Sequence, residues 1–224
     1  MGILSFQRLN EILKKSKFKN YNTFIETGTY TGRSIIPLAK NFPEIEFHTI
    51  EIVRELYSFA RKKAESESAK NLNFYLGNST MLIENIINKI KKDNIIIFLD
   101  AHSSSYEGFS AQSIEKDSAE SSFIKIKNKL LGKKKIISTN IKFNKLAEED
   151  VPLIKELTII SKLKKNFLVI IDDFDKFEKK YHFADWSNIK EEKIEKIFSN
   201  KIKNKFKMPK QNLNTPQLIL EVRC

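Results

Sequence analysis

The chain has 224 residues, 41% of them hydrophobic and 30% charged, with 40 Lys+Arg against 28 Asp+Glu for a net charge of +12. That is long enough for one sizeable core and too apolar for a disordered segment. The one cysteine, Cys224, excludes an internal disulfide, and no apolar run approaches the roughly 20 residues of a membrane span. Met1-Gly2-Ile3-Leu4-Ser5-Phe6 lacks the charged and apolar regions of a signal peptide. The expectation is a cytoplasmic protein with no membrane partner. The lysines are scattered and come with no aromatic-plus-basic motif, which argues against nucleic acid as a partner and for a solvated basic surface. Nothing in the sequence fixes the oligomeric state.

In chain order, Phe6, Leu9, Ile12 and Leu13 predict an amphipathic helix over 4–16. Residues 22–26 predict a strand and 33–41 a helix, ended by Pro43. Strands follow at 46–52, 72–76 and 95–99, with helices at 54–64 and 81–90 between them. Ile95 to Leu99 is apolar throughout, as in a strand buried on both faces. The alternation then stops. Residues 103–122 hold eight serines, and Lys133-Lys134-Lys135 follows. So long an excursion reads as an insertion at about 103–147, a lid or mobile segment. From Pro152 the pattern resumes with a helix through Leu153, Ile154, Leu157, Ile160 and Leu163. A buried strand covers 167–171, a helix 188–206 with Asn188 and Glu191 at capping-box spacing, and a last strand 217–222. Repeated β-α units predict a Rossmann-like α/β fold in one domain. The expectation is a three-layer sandwich with a mostly parallel sheet and helices on both faces.

Ligands of such folds bind at the carboxyl ends of the strands. The polar residues there are Glu26 and Gly28, Glu51, Asn78 and Ser79, Asp100 and His102, and Asp172 and Asp173. Five carboxylates converging on one edge repel one another unless a cation, a ligand or protons compensate them. The first turn reads Glu26-Thr27-Gly28-Thr29-Tyr30-Thr31-Gly32, which is E-x-G-x-x-x-G. Tyr30 stands where a G-x-G-x-x-G dinucleotide fingerprint needs glycine. Glu51 follows Gly28 by 23 residues, the spacing of a carboxylate that hydrogen-bonds a ribose diol.

This turn resembles the first motif of class I S-adenosylmethionine-dependent methyltransferases, and Phe98-Leu99-Asp100-Ala101-His102 resembles their fourth. With Asp150-Val151-Pro152-Leu153-Ile154-Lys155-Glu156-Leu157 and Val169-Ile170-Ile171-Asp172-Asp173, the chain resembles bacterial macrolide-sugar and glycan O-methyltransferase-like proteins over 22–102 and 149–175. The resemblance implies a seven-stranded-type sheet, and S-adenosylmethionine held by Glu26, Gly28, Tyr30, Gly32, Glu51, Asn78, Ser79 and Asp100. Glu26 would lie near the amino-acid end of the cofactor, and Gly28 would give it close backbone access. Asn78, in place of a more usual Asp, would accept from the adenine amino group through its carbonyl. It further implies methyl transfer to a hydroxyl of a small molecule or glycan, with Asp100 and His102 as catalytic residues and His102 as general base or ligand. Metal-dependent members hold Mg²⁺ on positions matching Asp100, Asp172 and Asp173. Tyr181 to Trp186 is a candidate wall of the acceptor pocket. The competing readings are a non-catalytic protein and a nucleotide-sugar-binding Rossmann-like protein.

Overall fold

A computed structural model describes residues 3–102, 150–181 and 184–223. The expected insertion at 103–147 lies outside the described residues, as do His182 and Phe183 of the expected pocket wall.

The elements are α1 (Phe6–Lys15), β1 (Thr23–Thr27), α2 (Ile35–Asn41), β2 (Glu46–Glu51), α3 (Arg54–Ser66), β3 (Leu72–Leu76), α4 (Ser79–Lys89) and β4 (Asn94–Leu99). After the undescribed segment come α5 (Leu153–Lys162), β5 (Asn166–Ile171), α6 (Glu191–Phe198), β6 (Ile202–Met208) and β7 (Gln217–Val222). The seven strands form one sheet in the order β3-β2-β1-β4-β5-β7-β6. Strands β1 to β5 pair in parallel, while β7 runs antiparallel to both β5 and β6. This is the Rossmann-like α/β arrangement that the β-α pattern predicts.

The layers follow from the two-residue period of the strands. Ile95, Ile97 and Leu99 of β4 face one core with Ile83 and Ile87 of α4, Leu157 and Ile160 of α5, and Ile194 of α6. Ile96 and Phe98 face the other, with Leu9 of α1, Ile36 of α2 and Ala64 of α3. The central strands bury residues on both faces, which is why they read as unbroken apolar runs.

One expected element is wrong. The helix expected over 188–206 ends at Phe198, and its last third is the edge strand β6. Ser199 takes a left-handed φ of 49°, which no helix continues through. Beyond it, half-buried Ile202, Asn204 and Phe206 alternate with exposed Lys203, Lys205 and Lys207, a period of two rather than 3.6. The expected capping box is absent as well. The N-cap of α6 is Lys190, without a side-chain cap bond.

Candidate active site

Strand order reverses between β1 and β4, so the chain leaves these neighbours toward opposite sides and opens a crevice at their carboxyl ends. The turn after β1 lines it. Gly28 and Gly32 hold φ of 84° and 73°, conformations that side chains disfavour, and Tyr30 holds 51°. Gly28 is required by packing. A Cβ there would lie 2.8 Å from the Asp100 carbonyl oxygen, so the turn packs its bare Cα side against the chain just past β4. Gly28 and Thr29 both donate backbone N–H bonds to the Ile50 carbonyl, at 3.0 and 3.3 Å.

The two acids beside this turn are held by uncharged donors. Glu26 accepts from the Thr49 hydroxyl at 2.7 Å. Glu51 accepts from the Tyr30 N–H at 2.7 Å and the Val53 N–H at 2.9 Å, which ties the glycine turn to the end of β2. Neither acid has an ion pair among the described residues. Burial pushes Glu26 well above the usual carboxylate range, Thr49 draws it down, and the nearby Asp100 and Glu51 add to the rise. Burial raises Glu51 to about 7 against the pull of its backbone donors.

Asn78 is the N-cap of α4. Its Oδ1 accepts from the Thr80 N–H at 2.9 Å and the Thr80 hydroxyl at 2.8 Å. The carbonyl expected to meet an adenine amino group is therefore taken, and what Asn78 can still offer a ligand is its amide N–H. Ser79 is buried at the first position of that helix.

The acids after β4 and β5 behave differently. His102 Nε2 lies 3.5 Å from Asp100 Oδ1 and 3.2 Å from Asp173 Oδ2. Lys176 Nζ lies 2.5 Å from the same Asp173 oxygen. Burial opposes charge on His102, but the two carboxylates outweigh it and push the imidazole up to about 10. Burial would raise Asp173, yet His102 and Lys176 hold it below its usual range. Asp100 is raised, chiefly by burial, with His102 pulling the other way. Asp173 itself sits at a left-handed φ of 55°.

The magnesium set expected from the sequence is not assembled. Asp172 turns toward β7, where its Oδ1 accepts from the Thr215 hydroxyl and, at 3.1 Å, from the Gln217 amide. The group of metal-ligand type among the described residues is Asp100, His102 and Asp173, with ligand atoms within 4.8 Å of one another. Its two carboxylates are joined by a protonated imidazole, and the Asp173 oxygen of that pair also meets Lys176. The donor set is thus a neutralised ion-pair triad, and it fits a hard cation such as Mg²⁺ poorly. Trp186 packs edge-on to His102 at 5.5 Å between ring centroids, stacked in turn on Phe177. At 3% exposure it is a buried support of the triad rather than an open wall.

Sequence reasoning missed Glu156. It lies on the buried face of α5 with Leu153, Leu157 and Ile160 and is 0% exposed. The signal was present: a carboxylate at a core position of an i, i+3, i+4, i+7 pattern.

Residues 20–102 match a protein family described as putative methyltransferase. The match covers less than half of the chain, and with the sheet order it agrees with a Rossmann-like α/β fold of the methyltransferase type. A 66-residue stretch is 36% identical to a tRNA (guanine-N(7)-)-methyltransferase of Pediococcus pentosaceus, covering 30% of this chain and 31% of that protein. Among solved structures, TrmN from Thermus thermophilus is similar over 97% of this chain and 48% of its own, with 8% identity and a TM-score of 0.50. The O-methyltransferase TomG from Streptomyces achromogenes, solved with SAM, is similar over 91% of this chain and 74% of its own, with 13% identity and a TM-score of 0.53. The chain thus spans about half of TrmN, and the tRNA relative matches over about a third of its length. At such low identities the two structures share the fold alone, and TomG does not carry a hydroxyl acceptor to this chain. The tRNA match overturns the expectation that nucleic acid is not a partner. Scattered lysines misled that reading, because affinity for phosphates depends on net charge as well as on recognisable motifs. Among the described residues, no helix is long and apolar enough to cross a membrane.

Proposed function

We propose that this chain is an S-adenosylmethionine-dependent methyltransferase that acts on tRNA, at a base nitrogen of the guanine N7 type. The observation that carries the acceptor is the 36% identity to a tRNA guanine-N7 methyltransferase. The family match over 20–102, which contains the glycine turn, Glu51, Asn78 and Asp100, supports the cofactor. The net charge of +12 suits a polyanionic acceptor.

The chemistry of the triad supports this acceptor too. Guanine N7 carries a lone pair and no proton, so transfer to it needs no general base. The methyl group leaves the sulfonium, the sulfur becomes a neutral sulfide, and the positive charge passes to the base. A hydroxyl acceptor would have to lose a proton, and a base must be neutral to take it. His102, held as an imidazolium between Asp100 and Asp173, suits the role of counter-charge rather than base. In this reading Glu26, Glu51, Tyr30 and the two glycines shape the cofactor side, Asn78 and Ser79 border the adenine end, and Asp100 stands between cofactor and acceptor.

The test is transfer of labelled methyl from S-adenosylmethionine to an unmodified tRNA transcript, with oligosaccharides and small hydroxyl compounds in parallel. Label in tRNA, released by chemical cleavage at N7-methylguanosine, is the expected result. Label only in a hydroxyl acceptor would replace the tRNA reading.

A further inference from the structure

Helix α5 presses Leu153, Leu157 and Ile160 into the core shared with α4 and the sheet, and the same face carries Glu156. Its carboxylate faces Thr27 at the end of β1, Ser79 at the start of α4 and Asp100 just past β4. These three positions border the crevice where the strand order reverses. Among the described residues, neither Glu156 oxygen has a hydrogen bond of good geometry, and the buried Thr27 hydroxyl beside it has none either. No Lys, Arg or His pairs with it among those residues.

A carboxylate so enclosed is destabilising unless something compensates it. Packing does not explain it, since Leu or Met would fill the same position without a polar atom. Helix capping does not explain it, because the N-cap of α5 is Pro152 and has no side-chain cap bond. With no partner among the described residues, the enclosed carboxylate points to a ligand that brings positive charge into the crevice.

We propose that Glu156, beside Asp100 at the crevice, favours the sulfonium of S-adenosylmethionine over the neutral sulfide of its demethylated product. The proposal rests on the S-adenosylmethionine reading above and deepens it. Methyl transfer discharges the sulfur, so the attraction that drew the cofactor in is lost as product forms and release is eased. Burial raises Glu156 to about 7, Asp100 adds to this, and Ser79 and Thr27 draw it down, so an arriving cation meets an acid ready to ionise near neutral pH.

The test is calorimetric titration of S-adenosylmethionine and S-adenosylhomocysteine into the wild-type protein, Glu156→Gln, and the surface control Glu65→Gln. Glu156→Gln should weaken S-adenosylmethionine about tenfold and S-adenosylhomocysteine about twofold or less. Glu65→Gln should change neither. Equal losses for the two ligands, or none, would overturn the proposal. Should Glu156→Gln fail to fold, the wild-type protein decides alone. Sinefungin, whose amine replaces the methylsulfonium centre, should bind more tightly than S-adenosylhomocysteine, and the reverse order would overturn the proposal. Failure of the wild type to bind any of the three ligands would instead remove the S-adenosylmethionine reading, and the proposal with it.

Discussion

The two halves of the sheet's carboxyl edge treat the same problem, clustered buried acids, in opposite ways. After β1 and β2, Glu26 and Glu51 meet hydroxyl and backbone N–H donors and, among the described residues, no cation. After β4 and β5, Asp100 and Asp173 share His102, and Asp173 also holds Lys176. The first half holds acids that burial makes reluctant to ionise, and a cationic ligand would favour their charged forms. The second is already neutralised and holds its shape without one. Asp100 and Glu156 stand where the halves meet.

Four changes would break or sharpen this contrast, from the largest expected effect to the smallest. Asp100→Ala removes the residue common to both halves. Methyl transfer should fall about 100-fold or more, while S-adenosylhomocysteine still binds in calorimetry. A parallel loss of binding would make Asp100 a cofactor residue only. Asp173→Asn removes the buried carboxylate that meets both His102 and Lys176. It should cost about 3 kcal/mol in chemical denaturation and leave cofactor affinity nearly unchanged.

The third concerns pH. Glu51 has a folded value of about 7 against an ordinary 4.5. A group raised in the folded state supports folding below its ordinary value and loses that support as pH climbs through the folded one. His102, raised to about 10 from 6.5, acts in the same direction at higher pH. Asp173 is depressed and so weakens the fold only under acid. The unliganded protein should therefore lose roughly 3 kcal/mol through Glu51 between pH 5 and 9. Saturating S-adenosylmethionine should flatten the decline in thermal melts. A stability that rises over this range would contradict the account of the cofactor half. The smallest effect lies outside both halves. Lys207→Ala removes an exposed ion pair with Glu191 on the edge strand and should shift stability by about 0.5 kcal/mol or less.

Where one period ruled, the fold was legible. β4 and β5 are apolar on both faces, so the parallel core could be read from Ile95–Leu99 and Phe167–Ile171. Lys203, Lys205 and Lys207 hid β6, because a strand with one lysine-bearing face looks like the polar side of a helix until Ser199 is known to turn the chain. The acids of the site were legible by position, since strand ends can be counted. Their partners were not. Thr49 lies 23 residues from Glu26 and Thr215 lies 43 from Asp172, and only the folded sheet brings them together. That is why Asp172 passed for a metal ligand, when its carboxylate is anchored to β7. The expectation against nucleic acid failed for another reason. Charge that is spread along the sequence says little about where it gathers in space.

The most direct test of the central claim is titration of S-adenosylmethionine into the wild-type protein, with NAD as the control. The account predicts binding of S-adenosylmethionine in the micromolar range, about −8 kcal/mol, and none of NAD, since Tyr30 occupies the position where a dinucleotide turn needs glycine. Binding of NAD in preference, or of neither, would contradict it.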